Sequence, residues 1–200
     1  NTIVGYFYFH DENKEKLIAY DVKLGIEKWQ KILSERQGGR DPLTVRIFSV
    51  KQTGNIILSL SGCVAPYKPD VTFNFDKNGH LIWKKEKNSV LKFSPSGKYL
   101  LTKYDFNNIA LLDSKTGETI WKRRGVYCQA DFSLDEKYIC ITDVLTDEDE
   151  MRRNKEYDEF KKVYWNGPIK GNIYLINTKN GATVWKQLTE IRLGDFNFRV

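Results

Sequence analysis

Two histidines, three cysteines and one run of acids are the residues of this chain best suited to chemistry, and their spacing assembles little of it. His10 stands beside Asp11 and Glu12 at the start of a loop, while His80 follows directly on Gly79 in a turn. The strand pattern set out below sends them to opposite faces, so they cannot share a metal ion or serve one catalytic triad. Cys63, Cys128 and Cys140 lack the paired spacing of a zinc site. An odd number of cysteines argues against a disulfide framework and for a reducing compartment. The acids Asp143, Asp147, Glu148, Asp149 and Glu150 could loosely hold a hard cation. Standing ahead of Lys161 and Lys162, they fit better the start of a charged helix over about residues 147–162. Pairs four apart (Glu148/Arg152, Asp149/Arg153, Asp158/Lys162) support that helix. There is no Gly-x-Ser-x-Gly elbow, no phosphate-binding glycine loop, no His-Glu-x-x-His and no EF-hand pattern. Paired carboxylates for glycoside chemistry stay open, because their separation in space is not written in the sequence. The expectation is a chain with no catalytic residue, no bound metal and no cofactor.

What must position these residues is a repeat. Asp21-Val-Lys-Leu-Gly25-Ile-Glu-Lys-Trp29 is echoed by Asp76-Lys-Asn-Gly79-His-Leu-Ile-Trp83. Two further copies are Asp113-Ser-Lys-Thr-Gly117-Glu-Thr-Ile-Trp121 and Asn177-Thr-Lys-Asn-Gly181-Ala-Thr-Val-Trp185. In every copy the tryptophan stands four positions after the glycine. A fixed repeat of this size means stacked copies of one supersecondary unit. An apolar, alternating run precedes each Asp or Asn and a shorter one follows each glycine, which is a β-hairpin with a bulged turn. The second copy is one residue shorter before its glycine, so its turn type differs. A second hairpin precedes the first, most clearly Val90–Phe93, the turn Ser94-Pro95-Ser96-Gly97, then Lys98–Thr102. Each unit is therefore a four-stranded antiparallel meander, a propeller blade.

Asp-x-x-x-Gly-x-x-x-Trp with Phe93-Ser-Pro-Ser-Gly-Lys-Tyr99 resembles the pyrroloquinoline-quinone (PQQ)-like, WD40-like β-propeller repeats. These occur in quinoprotein dehydrogenases and in non-catalytic bacterial propellers. The resemblance covers nearly the whole chain except residues 143–170. It implies that Trp29, Trp83, Trp121 and Trp185 belong to a docking motif between blades, with Gly25, Gly79, Gly117 and Gly181 and the acids Asp21, Asp76 and Asp113 as its turns. Quinoprotein dehydrogenases of this kind have eight blades and about twice this length, so the resemblance carries a scaffold rather than a reaction.

The fold expected is one all-β propeller domain over residues 1–200. Its blades are 195–200 with 2–31, then 44–86, 90–124 and 128–188, with a helical insertion over 143–170 in the last. Pairing of 195–199 with the first blade would close a four-bladed ring; the rival reading is a fragment of a larger ring, since the chain begins without Met. Aromatics at 14% suit strands packed on both faces. No apolar run approaches the roughly 20 residues a membrane helix needs. A cytoplasmic monomer is expected, with a removed signal peptide the alternative.

The net charge of +6 invites a nucleic-acid reading. The basic residues, however, follow the tryptophans: Lys84-Lys85, Lys122-Arg123-Arg124 and Lys186. Neighbours on a strand point to opposite faces, and lysine on an outer strand blocks pairing with other sheets. Strand parity sends the short turns to one face and the segments 31–44, 61–70 and 142–171 to the other. Binding residues concentrate on such loops. Candidates for a protein or peptide contact are Trp165 and Tyr164, Tyr67 in the proline-stiffened stretch 63–69, and Arg36 and Arg40, which could meet an anionic ligand. Each has a plainer reading as an anchor or a solvated loop residue. The function expected is a non-catalytic interaction module; the alternatives are a fragment of a quinoprotein-like dehydrogenase and a weak nucleic-acid-binding propeller.

Overall fold

The computed structural model describes residues 2–9, 11–12, 14–35, 43–50, 53–62, 70–104, 108–124, 127–144 and 169–191. They form β1 (Thr2–Phe9), β2 (Lys14–Asp21), β3 (Glu27–Glu35), β4 (Leu43–Ser49), β5 (Ile56–Gly62), β6 (Val71–Phe75), β7 (Leu81–Glu86) and β8 (Asn88–Phe93). The chain continues with β9 (Tyr99–Tyr104), β10 (Asn108–Asp113), β11 (Thr119–Arg124), β12 (Tyr127–Phe132), β13 (Tyr138–Val144), β14 (Ile169–Asn177) and β15 (Thr183–Ile191). No helix occurs among the described residues, so none there could cross a membrane.

The strands make all-antiparallel meanders: β4-β5-β6-β7, β8-β9-β10-β11 and β12-β13-β14-β15, with β1-β2-β3 a three-stranded sheet. Each four-stranded sheet is one propeller blade. The strand assigned to 195–199 as the fourth member of the first sheet lies outside the described residues, as does the helix expected over 147–162. Three connections are shorter than the sequence suggests. β3 runs on to Glu35 and β4 begins at Leu43; β5 runs to Gly62; β13 ends at Val144 and β14 begins at Ile169. The added residues are paired in the ladder, Lys14 with Glu35 and Val144 with Gly171 for example. Backbone pairing is blind to side-chain polarity, so apolar alternation ends before the strand does.

Two compact units are distinguished along the chain, Asn1–Val90 with Ser114–Gly117, and Leu91–Asp113 with Glu118–Val200. Each has its own core. In the first, Leu17, Ile56, Leu58, Leu60, Phe73 and Phe75 are buried, with Trp29 packed against them. In the second, Leu101, Ile109, Leu111, Trp121, Phe132, Ile139, Ile141, Tyr174 and Ile176 are buried together.

The inner hairpins are turned by serine. The Ser94 and Ser133 hydroxyls accept the Tyr99 and Tyr138 amides at 3.1 and 3.0 Å. Gly97 takes φ +76°, and Glu136 holds the same place at φ +57°. That left-handed conformation is costly for glutamate, and its carboxylate is held by the Ser96 amide and, at 2.8 Å, by the Ser96 hydroxyl. Beside it Asp135 accepts from the Ser133 hydroxyl and from the Lys137 amide and ammonium, which lowers its pKa to about 2. An ordinary aspartate titrates near 3.9. The stabilisation is therefore complete above that value and is lost as pH falls through about 2. An NMR titration of the Asp135 carboxyl carbon is expected to show its midpoint near 2; a midpoint near 4 would mean that the turn's bonds do not form in solution.

Candidate functional site

Every outer hairpin turns through a glycine of positive φ. The amides of Gly25 and Gly181 donate to the carbonyls of Asp21 and Asn177, four residues back, at 2.9 and 2.8 Å. In the shorter copy the Gly79 amide reaches Asp76 O, three residues back, at 3.0 Å. The side chains of Asp21, Asp76 and Asn177 accept further amides of their own turns. The four glycines have φ of +67°, +81°, +73° and +72°. Just before each tryptophan the register slips: Ala19 faces Trp29 and Tyr20 faces Glu27, leaving Lys28 unmatched, and Ile82, Ile120 and Val184 are skipped likewise. Such a bulge re-aims the side chain beside it.

The indole so aimed lies on another hairpin's glycine. A Cβ added to Gly79 would stand 2.6 Å from Trp29, one on Gly117 2.8 Å from Trp83, and one on Gly181 2.9 Å from Trp121. The indole N–H of each donates to the residue one place after the Asp or Asn of the same turn. Trp29 bonds Lys77 O at 3.1 Å, Trp83 bonds Ser114 O at 3.0 Å and Trp121 bonds Thr178 O at 2.7 Å. Only glycine permits this approach, since it lacks the colliding atom and tolerates positive φ. Trp185, grouped with these three by sequence, differs. It is 44% exposed, and its N–H has no acceptor among the described residues.

The basic residues after the tryptophans stand on the outermost strands β7, β11 and β15. Lys84 lies over Phe73, Lys122 over Tyr104 and Lys186 over Tyr174, at 5.9, 4.8 and 5.3 Å from the ring centroids. Each of these ammonium groups covers an aromatic ring of its own sheet.

At the other end of the last sheet, a polar cluster holds the two strands that flank 145–168. Asp143 is paired with Asn172 across β13 and β14. Its Oδ1 accepts from the Asn172 amide at 2.9 Å and from Asn172 Nδ2 at 3.0 Å, and its Oδ2 from the Tyr174 hydroxyl at 2.7 Å. The Tyr174 ring also carries the Arg123 guanidinium, 4.8 Å from its centroid, and that group donates to the Thr183 hydroxyl at 2.8 Å. A carboxylate with both oxygens already engaged is a poor general base and a good clamp. The cluster fixes where the chain leaves and re-enters the sheet.

Of the residues singled out by sequence, Arg36, Arg40, Tyr67, Tyr164 and Trp165 lie outside the described residues, as do His10, Cys63 and the acids 147–150. His80 is largely exposed, with Nδ1 2.9 Å from Asp76 Oδ2. Burial raises the Asp76 pKa, but hydrogen bonds from the His80 ring and from the His80 and Asn78 amides hold it below the ordinary range. Cys140 is a free thiol, and burial pushes its pKa up, so it is a weak nucleophile. No group of His, Cys, Asp and Glu suited to a metal ion occurs among the described residues. The clamp residues Asn172 and Tyr174 were missed because only the strand register brings them to Asp143.

Among curated proteins no sequence matches the chain. Solved structures match it as a fold. The Dos1 propeller superposes with TM-score 0.52 at 9% identity, over 93% of this chain and 45% of that one. A eukaryotic initiation factor gives 0.51 at 13% identity, over 93% and 42%. The Pyrococcus horikoshii acylaminoacyl peptidase gives 0.53 at 15% identity, over 76% and 25%. The chain thus spans less than half the length of these proteins. A family model described as outer membrane protein assembly factor BamB matches residues 2–123. With its repeated Gly–Trp hairpins in four-stranded meanders, the chain belongs to this family of PQQ-like β-propellers.

Proposed function

We propose that this chain is a non-catalytic interaction module that holds a protein or peptide partner at the loop-bearing ends of its blades. The observation that carries this reading is the Asp143–Asn172–Tyr174 clamp. It spends a carboxylate, an amide and a phenol on fixing the mouth of the chain's longest connection, which suits a rigid platform for a binding segment. The segment so anchored contains Tyr164 and Trp165, residue types that dominate binding hot spots. The family's description as an assembly factor supports a role exercised through other proteins.

Replacing residues 146–165 by a short glycine-rich link, with the clamp kept, is expected to leave thermal unfolding nearly unchanged and to abolish capture of the partner in co-purification. A partner retained by the shortened chain would overturn the assignment of this surface. Trp165→Ala alone is expected to weaken capture by roughly ten-fold or more if the indole is an anchor.

A further inference from the structure

Two of the outer turns place asparagine directly before the glycine, Asn78-Gly79 and Asn180-Gly181; the other two have Leu24 and Thr116 there. An asparagine followed by glycine can react with its own backbone, because no side chain shields the glycine nitrogen from the asparagine Cγ. Both asparagines are exposed. Their turns hold them differently.

In the Asn180 turn the Ala182 amide donates to Asn180 Oδ1 at 3.0 Å. That bond curls the side chain back along the backbone, past the Gly181 nitrogen. It also fixes an N–H on the oxygen that becomes negative when Cγ is attacked. In the shorter Asn78 turn the corresponding amide, that of His80, goes to Asp76 Oδ1 at 2.8 Å instead. The Asn78 side chain has no donor among the described residues. Gly79 is buried, whereas Gly181 is half-buried. The Gly79 and Gly181 amides donate to Asp76 O and Asn177 O at 3.0 and 2.8 Å. In both turns the reaction therefore waits on a transient opening of that bond.

We propose that Asn180 is a self-modifying site, converted to aspartate and isoaspartate through attack by the Gly181 nitrogen, with the Ala182 amide as the positioning group. Asn78 is the slow member of the pair. A base in the solvent removes the Gly181 amide proton as the nitrogen bonds to Cγ. The Cγ–Nδ2 bond breaks and Nδ2 leaves as ammonia, taking up one proton, which closes a succinimide ring. Water then adds to one of the two imide carbonyls and opens the ring to an aspartyl or isoaspartyl residue, with no oxidation or reduction. The product carries a carboxylate in place of a neutral amide, two residues after Thr178, whose carbonyl receives the Trp121 N–H. In the isoaspartyl form that turn is one methylene longer, so the modification acts on the seat of a buried tryptophan.

Incubation of the whole chain at mildly alkaline pH, followed by peptide mapping with mass spectrometry, tests this. In the folded chain the peptide holding Asn180 is expected to convert at least about ten-fold faster than the one holding Asn78. In concentrated urea neither turn persists, and the two rates are expected to agree within about two-fold. Asn180→Gln alters an exposed side chain and makes closure of the ring unfavourable. It is expected to abolish the fast conversion and leave the slow one at Asn78. Ala182→Pro removes the donated N–H, and with circular dichroism unchanged it is expected to slow Asn180 to about the rate of Asn78. Mere loosening of the turn would instead speed it. Equal rates at the two sites of the folded chain, or Asn78 converting first, overturns the proposal. So does an Asn180 that stays intact in the folded chain while the urea-unfolded chain converts, or a faster conversion in folded Ala182→Pro.

Discussion

Replacing Trp121 by alanine is expected to cost roughly 3–5 kcal/mol of unfolding free energy, the range for truncating a well-packed tryptophan. Trp121 is 8% exposed, lies in one cluster with Leu101, Leu111, Ile139 and Ile176, and donates to Thr178 O at 2.7 Å. The change removes the apolar area, opens a cavity and leaves that carbonyl without its donor, and these losses act in the same direction. Trp185→Ala makes the same chemical change in the same repeat position without burial. Its cost is expected below about 1 kcal/mol. Urea unfolding of both variants decides the matter. Equal losses would mean that the four tryptophans have like surroundings, and that Trp185 is covered in solution.

Much of this architecture was legible in advance because it rests on local rules. The alternation of Ile109-Ala110-Leu111-Leu112, the Asp-to-Gly turn after it and the offset to Trp121 each constrain a few neighbouring residues. A bulge and a positive φ follow from such spacing. Less legible were features created by register or by substitution within the pattern. Glu136 takes the left-handed place that glycine holds in the sister hairpin, and its reason is a bond to Ser96, forty residues away. Asp143 and Tyr174 are thirty-one apart and meet because β13 and β14 pair across the connection 145–168. The four Gly–Trp copies looked alike as sequence, but a wedge is a property of two hairpins. The indole of the fourth copy is 44% exposed. The polarity of the turns also varies: Val22 and Leu24 stand where the other three copies have polar residues. The candidate contacts Arg36, Arg40, Tyr67, Tyr164 and Trp165 rest on the sequence alone.

Gly181→Ala carries the other large expected effect and isolates the wedge from general packing. The added methyl would stand 2.9 Å from Trp121 Cδ2 and Cγ, and the backbone there has φ +72°. The left-handed conformation costs a non-glycine residue about 1–2 kcal/mol, and forcing a methyl into a packed contact about 1–3 more. A total near 2–5 kcal/mol is therefore expected. Trp121 cannot readily retreat, because it is buried and its N–H is tied to the same turn. Gly25→Ala, with open space around its Cβ, is expected to show the backbone part alone. The double variant separates the two causes. In a Trp121→Ala background the collision is gone, so Gly181→Ala should then cost only about what Gly25→Ala costs. The non-additivity, roughly 1–3 kcal/mol, measures the indole–glycine contact itself. Strict additivity would mean that the glycine is required by its turn and not by the tryptophan above it.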